Sequence, residues 1–446
     1  MSSWRDADET ESLPRFGRHP RGVFLLSLVE FCERFSFYGL SGLLILYLVA
    51  PLGAGGLGVE RAHALEIVGA FGGATFGAPA VGGWIAGRFW GERRAIGRGG
   101  VLILLGHILL GLQPLIPQTS RLTGLIAALG LIVIGTGLLK ASISSIIGGL
   151  YGPRSEAREM GFVIFTVGVW MGSLLAGPIV GTLGEMVSWH VGFLAAGAGM
   201  AVAQGLYAVF ARRLLGSVGM QPNWKAGANW RGASGNAAGS PRDGLLLIAV
   251  FSLFTMIYSL AFFQFSGSLS LYLSTKVDRS IGGFTIPVTW FLSISNLAFI
   301  VLAPAAAILM AGSGRRGFGV LAKQALGLVA IGIAFAGFRL SIGVSEHALA
   351  LMLFGYILMG LSDALIWPPQ LNAITLFAPR ATSMVLGLFL MAASVGIFFT
   401  GFVANLLSPS GDFRQLFTLL SVLMLLCAGL MMPVRKILSR RFGVAL

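Results

Sequence analysis

The chain has 446 residues, of which 56% are hydrophobic and only 11% are charged, whereas about 25% of an ordinary soluble domain is charged. Its mean hydropathy of +0.85 excludes a water-soluble globular protein and indicates a helical protein that crosses a membrane repeatedly. The net charge of +14 would suggest nucleic-acid binding in a soluble chain. In a membrane protein it reflects Lys and Arg collected in cytoplasmic loops, so no nucleic-acid partner is expected.

Twelve apolar segments, separated by Gly, Pro and charged residues, are each long enough to cross the bilayer. They are predicted at 22–50, 63–87, 99–116, 122–149, 160–183, 189–211, 244–272, 286–312, 324–343, 348–377, 384–407 and 416–434. The tails 1–21 and 435–446 share their side of the membrane with most of the Lys and Arg. Because positive loops resist translocation, both termini are predicted to be cytoplasmic, in a multi-pass protein of the cell (inner) membrane.

A polar stretch at 212–243, rich in Gly, Ala, Ser, Asn and Arg, is predicted to be a flexible cytoplasmic linker. It divides the chain into two bundles of six helices, 22–211 and 244–434. Two such halves indicate an all-α membrane protein with the major facilitator superfamily fold, in which substrate binds at the midplane between the halves.

Five ionisable residues are predicted to lie deep within the spans: Glu30, Glu33, Arg34, Lys140 and Asp363. A charge at the bilayer centre costs about 2.5–3.5 kcal/mol even on a lenient scale, so such groups pair with one another or face a wet cavity. The first three share a helix face, where Glu30 can bridge to Arg34. Lys140 is the other deep cation of this half, and protonation of its glutamate partner would free the first and fourth helices to move. A purely structural ion-pair cluster is the alternative.

The segment Glu30-Phe31-Cys32-Glu33-Arg34-Phe35, followed by Phe37-Tyr38, resembles the ExxERF motif of the proton-coupled oligopeptide transporter family. Gly135-Thr136-Gly137 before Lys140 resembles the family's fourth-helix lysine segment. Asp363 stands where the family has its tenth-helix glutamate. The resemblance implies a symporter that uses the proton gradient to import di- or tripeptides or peptide-like molecules. It further implies a monomer, with no cofactor and no enzymatic activity.

The resemblance also implies the site residues. Proton coupling is assigned to Glu30, Glu33, Arg34 and Lys140, and substrate binding to Arg34, Tyr38, Phe76, Lys140, Trp170, Gln264, Ser295, Asn296 and Asp363. Asp363 is expected to hold the amino end of a peptide, and the cations Arg34 and Lys140 its carboxylate. The chain departs from the family's polar pattern at Ser41, Gly87, Trp170 and Phe263, which leaves the substrate open.

Three alternatives therefore remain: a carrier or exporter of a non-peptide amphiphile with the same fold, a channel, and a membrane-bound enzyme. A channel would conduct without substrate counterflow. An enzyme would need a nucleophile or a metal, but no nucleophile has a base positioned nearby in sequence. The histidines at 63, 107, 190 and 347 do not have metal-ligand spacing.

Overall fold

The computed structural model describes residues 15–17, 19–151, 157–222, 241–311, 319–377 and 382–442. These residues contain twelve helical segments long and apolar enough to cross a membrane, as the sequence predicted. One of these segments contains two α-helices, so the described residues form thirteen. They are α1 Arg21–Val49, α2 Arg61–Ile85, α3 Glu92–Gly111, α4 Arg121–Gly149, α5 Ala157–Ala176, α6 Trp189–Leu215, α7 Pro241–Phe262, α8 Ser268–Lys276, α9 Trp290–Ala311, α10 Val320–Ser341, α11 Ala348–Phe377, α12 Thr382–Leu407 and α13 Arg414–Phe442.

Two antiparallel hairpins of two-residue strands accompany the helices. In the first, β1 (Arg15–Phe16) pairs with β2 (His19–Pro20). The second joins β3 (Ser280–Ile281) to β4 (Phe284–Thr285) between α8 and α9. The all-α prediction is therefore confirmed for the membrane-spanning part.

Several spans are not uniform α-helices. A π-helical turn, Ala86–Trp90, continues α2, and two more, Gly177–Gly181 and Leu183–Val187, continue α5. The seventh span consists of α7 and α8, joined by a 3₁₀ turn at Phe263–Ser266. Such interruptions free backbone groups, which in a membrane need partners from neighbouring helices or side chains.

The chain folds into two compact units. The first contains Met1–Leu43 and Ala74–Gly232, and the second contains Leu44–Gly73 and Ala233–Leu446. The helices run past the predicted linker bounds, since α6 ends at Leu215 and α7 begins at Pro241. Much of that linker and parts of both tails, residues 1–14, 223–240 and 443–446, lie outside the described residues.

Glycine lets helix backbones touch in the first unit. A Cβ added to Gly82 of α2 would overlap the backbone of Gly137 in α4, and one on Gly99 of α3 would overlap the carbonyl oxygen of Gly135. Small residues at such crossings allow the close packing typical of membrane helices. This packing holds α4, the helix that carries Lys140, directly against α2 and α3.

The second unit contains a similar close approach. A Cβ on Gly401 of α12 would overlap the carbonyl oxygen of Leu65 in α2. Asn405 Nδ2 donates to the carbonyl oxygen of Ala62 at 2.8 Å, and Ser394 Oγ donates to that of Gly73 at 2.7 Å. The first part of α2 is therefore held along α12.

Candidate functional site

In the first unit, Arg34 and its neighbour Glu33 form a buried ion pair. Arg34 Nε lies 2.5 Å from Glu33 Oε2, and Arg34 Nη2 lies 2.6 Å from Oε1. Thr136 of α4 donates a third hydrogen bond to Glu33 Oε1 at 3.2 Å. The two ionic side chains are only 3% and 1% exposed. A bidentate, charge-assisted pair of this kind is among the stronger polar contacts in proteins.

Glu30 is bound differently. Its Oε1 lies 3.5 Å from Lys140 Nζ and 3.7 Å from Arg34 Nε. Its Oε2 is buried and has no hydrogen-bond partner within the described part of the chain. The Lys140 side chain is 30% exposed, whereas that of Glu30 is 1% exposed. Of the four charged groups, Lys140 is therefore the one that an outside ligand can reach.

Aromatic rings hold the Arg34 guanidinium in place. Its central carbon lies 4.8 Å from the ring centroid of Phe37 and 5.8 Å from that of Tyr38. Phe76 packs edge-on against Phe37 with the centroids 6.1 Å apart. Cation–π contacts gain strength where water is excluded, as it is here. Arg34 is thus fully engaged by Glu33 and by rings, and it would have to rearrange before it could bind a substrate.

The remaining predicted residues of the first unit lie nearby on α1 and α5. Tyr38 and Trp170 are partly buried, and Ser41 is buried on α1. Two glycines of α5 flank Trp170: a Cβ on Gly168 would crowd the carbonyl oxygen of Ser27, and one on Gly172 would overlap that of Phe31. The backbone of α5 therefore lies directly on α1 at the turn that contains Glu30.

In the second unit, Asp363 of α11 is the centre of a separate hydrogen-bond network. Tyr258 of α7 donates to Asp363 Oδ1 at 2.7 Å, and Ser362 donates to the Tyr258 hydroxyl oxygen at 3.1 Å. A carboxylate offers about four acceptor positions. The Tyr258 hydroxyl therefore orients the carboxylate and leaves acceptor capacity for a ligand.

Gln264 is used within the fold. It is completely buried in the turn between α7 and α8. Its Nε2 donates to the carbonyl oxygen of Thr400 in α12 at 3.3 Å, and the Ser268 hydroxyl donates to its Oε1. Gln264 Nε2 also donates to the carbonyl oxygen of Leu260 near the end of α7 at 3.4 Å, so this side chain satisfies a backbone group of the interrupted seventh span and links the span to α12.

Ser295 and Asn296 lie on α9 and are 1% and 3% exposed. A Cβ on Gly360 of α11 would overlap the Ser295 carbonyl oxygen, so α9 meets α11 one turn before Asp363. Asn296 Nδ2 has no hydrogen-bond partner among the described residues. Asn296 thus has a donor to offer in this unit.

The structure adds partners that sequence reasoning did not assign. Thr136 precedes Lys140 by four residues, so their shared helix face was a usable signal. Tyr258 and Ser362 had no such signal, because their contact with Asp363 depends on how α7 and α11 are rotated. Of the positions that depart from the family pattern, Phe263 is buried between the rings of Phe262 and Phe265.

Comparisons with known proteins agree with this architecture. The POT family model matches residues 93–223 and 239–416. The chain is 29% identical over 505 aligned positions to the peptide transporter YePEPT of Yersinia enterocolitica, with 96% of this chain and 97% of that protein covered. It is 43% identical over 210 residues to a di-/tripeptide transporter of Lactococcus lactis, with 47% of this chain and 41% of that protein covered.

A solved structure shares the fold over nearly its whole length. It is a mutant of a peptide transporter POT in complex with alafosfalin, with a TM-score of 0.86 and 25% identity, covering 98% of this chain and 99% of that one. The family match spans more than half of the chain and includes Lys140 and Asp363. The chain is a multi-pass membrane protein that belongs to the POT family.

Proposed function

We propose that this chain is a proton-coupled symporter that imports di- and tripeptides, or peptide-like molecules, by alternating access. Support comes from relatives that are peptide transporters. The observation that carries the proposal is the pairing of buried Glu30 with partly exposed Lys140. The protein is proposed to act as a monomer in the cell membrane with both termini cytoplasmic, driven by the proton gradient without a cofactor.

The Glu30–Lys140 pair suggests how a proton and a substrate exchange. A proton on Glu30 removes the negative charge that holds Lys140 Nζ at 3.5 Å. Lys140 is then a partly buried cation without a counter-ion, and the carboxylate of a peptide can take the place of Glu30. Loss of the proton restores the original pair and expels the carboxylate. In the same step the link between α1 and α4 is made or broken, which couples the proton to helix movement.

Asp363 would bind the amino end of a peptide. The α-amino group of a peptide is cationic below its pKa of about 7.7–8.0. Tyr258 orients the Asp363 carboxylate, and Asn296 has an unused donor on the adjacent helix. Asp is one methylene shorter than the family's Glu, so a water would bridge the gap for some ligands.

A second candidate is a carrier of a non-peptide amphiphile with the same fold. Aromatic residues stand at positions 170 and 263, where the family resemblance implies polar groups. These rings would favour a more apolar cargo. An exporter of such molecules would use the same ion pairs in the reverse direction.

Counterflow in proteoliposomes separates these functions. Vesicles are loaded with one unlabelled compound and placed in the same compound carrying a label, in separate experiments with a dipeptide, a tripeptide, an N-acetylated dipeptide and an apolar amphiphilic cation. We expect the dipeptide and tripeptide to accumulate by exchange. Exchange of the amphiphile alone would favour the second candidate, and leakage of label without counterflow would indicate a channel.

A further inference from the structure

His107 of α3 is a buried imidazole that the ion pairs described above do not explain. It is 0% exposed, and neither Nδ1 nor Nε2 has a hydrogen-bond partner within the described residues. A neutral imidazole always carries one donor and one acceptor. Burying both without partners destabilises a protein, so an apolar side chain of similar size would pack better here.

A glycine lets α6 pack closely against α3 at His107. A Cβ on Gly197 of α6 would lie 3.0 Å from the His107 Cβ. Two turns away on the same pair of helices, Gln204 of α6 lies against Gly100 of α3, and its Nε2 also lacks a partner in the described part of the chain. Buried polar groups of this kind are usually satisfied by internal water, which makes two to four hydrogen bonds at such a site.

The charged neighbours of His107 identify its electrostatic partner. The Glu33 carboxylate of α1 accepts a hydrogen bond from Thr136 of α4. One turn earlier, Ile132 of α4 packs against Gly106, the residue before His107, so Glu33 is the acidic group that acts electrostatically on the ring. On α4, Lys140 is paired with Glu30, and Arg121 donates to a carbonyl at the helix start. On α6, His190 contacts the carbonyl oxygen of Leu110, Tyr207 donates to that of Arg93, and Arg212 and Arg213 lie in the last turn.

We propose that His107 is a second proton-binding residue of the coupling cluster, reached through internal water and acting on the Glu33–Arg34 pair. A proton taken from water by the unprotonated ring nitrogen gives an imidazolium, whose charge competes with Arg34 for Glu33. This weakens the bidentate pair without protonating Glu33 itself. The inference rests on the proposed proton-coupled function and adds to it a residue outside the family motif.

The test is the pH profile of transport. His107→Asn keeps a polar side chain, and His107→Leu removes polarity, so both remove the proton site through different packing. We expect both to shift the pH of half-maximal proton-driven dipeptide uptake toward acid by about one unit, a tenfold change in proton concentration. His107→Leu should also raise the thermal unfolding temperature, which shows that this variant folds.

His190→Asn is the matched control, because His190 lies near the start of α6 and contacts the carbonyl oxygen of Leu110. It should keep the pH profile of the unaltered protein. An unshifted profile in both His107 variants, or an equal shift in His190→Asn, would overturn the proposal. If the unaltered protein does not accumulate peptide, the proposed function fails. The His107 site is then judged by dipeptide binding in detergent, whose pH dependence must change when His107 is replaced.

Discussion

Lys140 Nζ lies 3.5 Å from Glu30 Oε1, whereas Arg34 holds Glu33 with two of its guanidinium nitrogens, Nε and Nη2, at 2.5 and 2.6 Å. The two pairs differ in access as well as in geometry. Glu33 and Arg34 are sealed, whereas Lys140 is 30% exposed. A substrate can therefore disturb the Glu30–Lys140 pair first. The Glu33–Arg34 pair then responds, because Glu30, Glu33 and Arg34 all lie on helix α1.

A double-mutant cycle on Glu30 and Lys140 should show that their ion pair contributes to the free energy of unfolding. Lys140→Met leaves a buried carboxylate with only the 3.7 Å contact to Arg34. Breaking a fully buried pair costs about 3–5 kcal/mol. Since Lys140 is partly exposed, we expect a smaller loss, about 1–3 kcal/mol in the free energy of unfolding in detergent. The double variant Glu30→Gln/Lys140→Met should recover most of it. A double variant whose loss equals the sum of the losses in Lys140→Met and Glu30→Gln would show that the two side chains are not coupled.

Asp363→Asn should weaken binding of peptides with a free amino group by about 1.5–3 kcal/mol, the range for a hydrogen bond to a charged group. N-acetylated peptides carry no amino charge, so their affinity should change far less. Calorimetric or fluorescence titration of both ligands measures the difference. Equal losses for both ligands would mean that Asp363 does not bind the amine.

Tyr258→Phe is the control for Asp363. It removes the 2.7 Å hydrogen bond that orients the carboxylate but keeps the negative charge. We expect the preference for free-amine peptides over acetylated ones to persist, with a smaller loss of affinity than in Asp363→Asn. Loss of that preference in Tyr258→Phe would assign the discrimination to orientation rather than to charge.

Gly401→Ala should disturb the contact between α2 and α12, because the new Cβ would overlap the carbonyl oxygen of Leu65. Overpacking at such a site costs about 1–3 kcal/mol, which favours separation of the two helices. We expect faster thiol labelling of Ala62→Cys in this background and at least about tenfold slower uptake. Gly387→Ala on the same helix is the control, since nothing lies within 4 Å of its added Cβ. Equal labelling in both backgrounds would contradict the role of this contact.

Single-cysteine labelling should place the linker and the β3–β4 hairpin on opposite sides. The native thiols Cys32 and Cys427 are each 4% exposed and would be replaced by Ala. In intact cells, an impermeant reagent should label Ser280→Cys, in the exposed β3 strand, and leave Ser234→Cys unlabelled until the membrane is permeabilised. Labelling of Ser234→Cys from outside would overturn the predicted topology.

Much of the cluster could be predicted from spacing alone. Glu30, Glu33 and Arg34 share a helix face, and the structure brings all three together with Lys140. The expected direct bridge from Glu30 to Arg34 exists but is the longer contact, at 3.7 Å. Arg34 instead makes a bidentate contact with Glu33, the residue before it in the chain. The rings of Phe37 and Tyr38 hold the guanidinium in that position, and Glu30 is paired with Lys140.

The second unit was less predictable. Gln264 was assigned to substrate, yet its amide is bound by Thr400 and Ser268 where the seventh span is interrupted. Neither the interruption nor the Tyr258–Asp363 bond has a local signal. Both depend on the rotation and depth of helices that are distant in sequence, and hydropathy specifies that a helix spans the membrane but not how it is turned.

Uptake of a labelled dipeptide by proteoliposomes, with and without an inward proton gradient, tests proton coupling most directly. The unaltered protein should accumulate peptide above the outside concentration only when the gradient is present. Glu30→Gln and Lys140→Ala should both lose that accumulation, because the proton no longer makes or breaks their ion pair, and Glu30→Gln should retain counterflow because Lys140 is still present. Full gradient-driven accumulation in both variants would contradict the account and leave the cluster as a structural set of ion pairs.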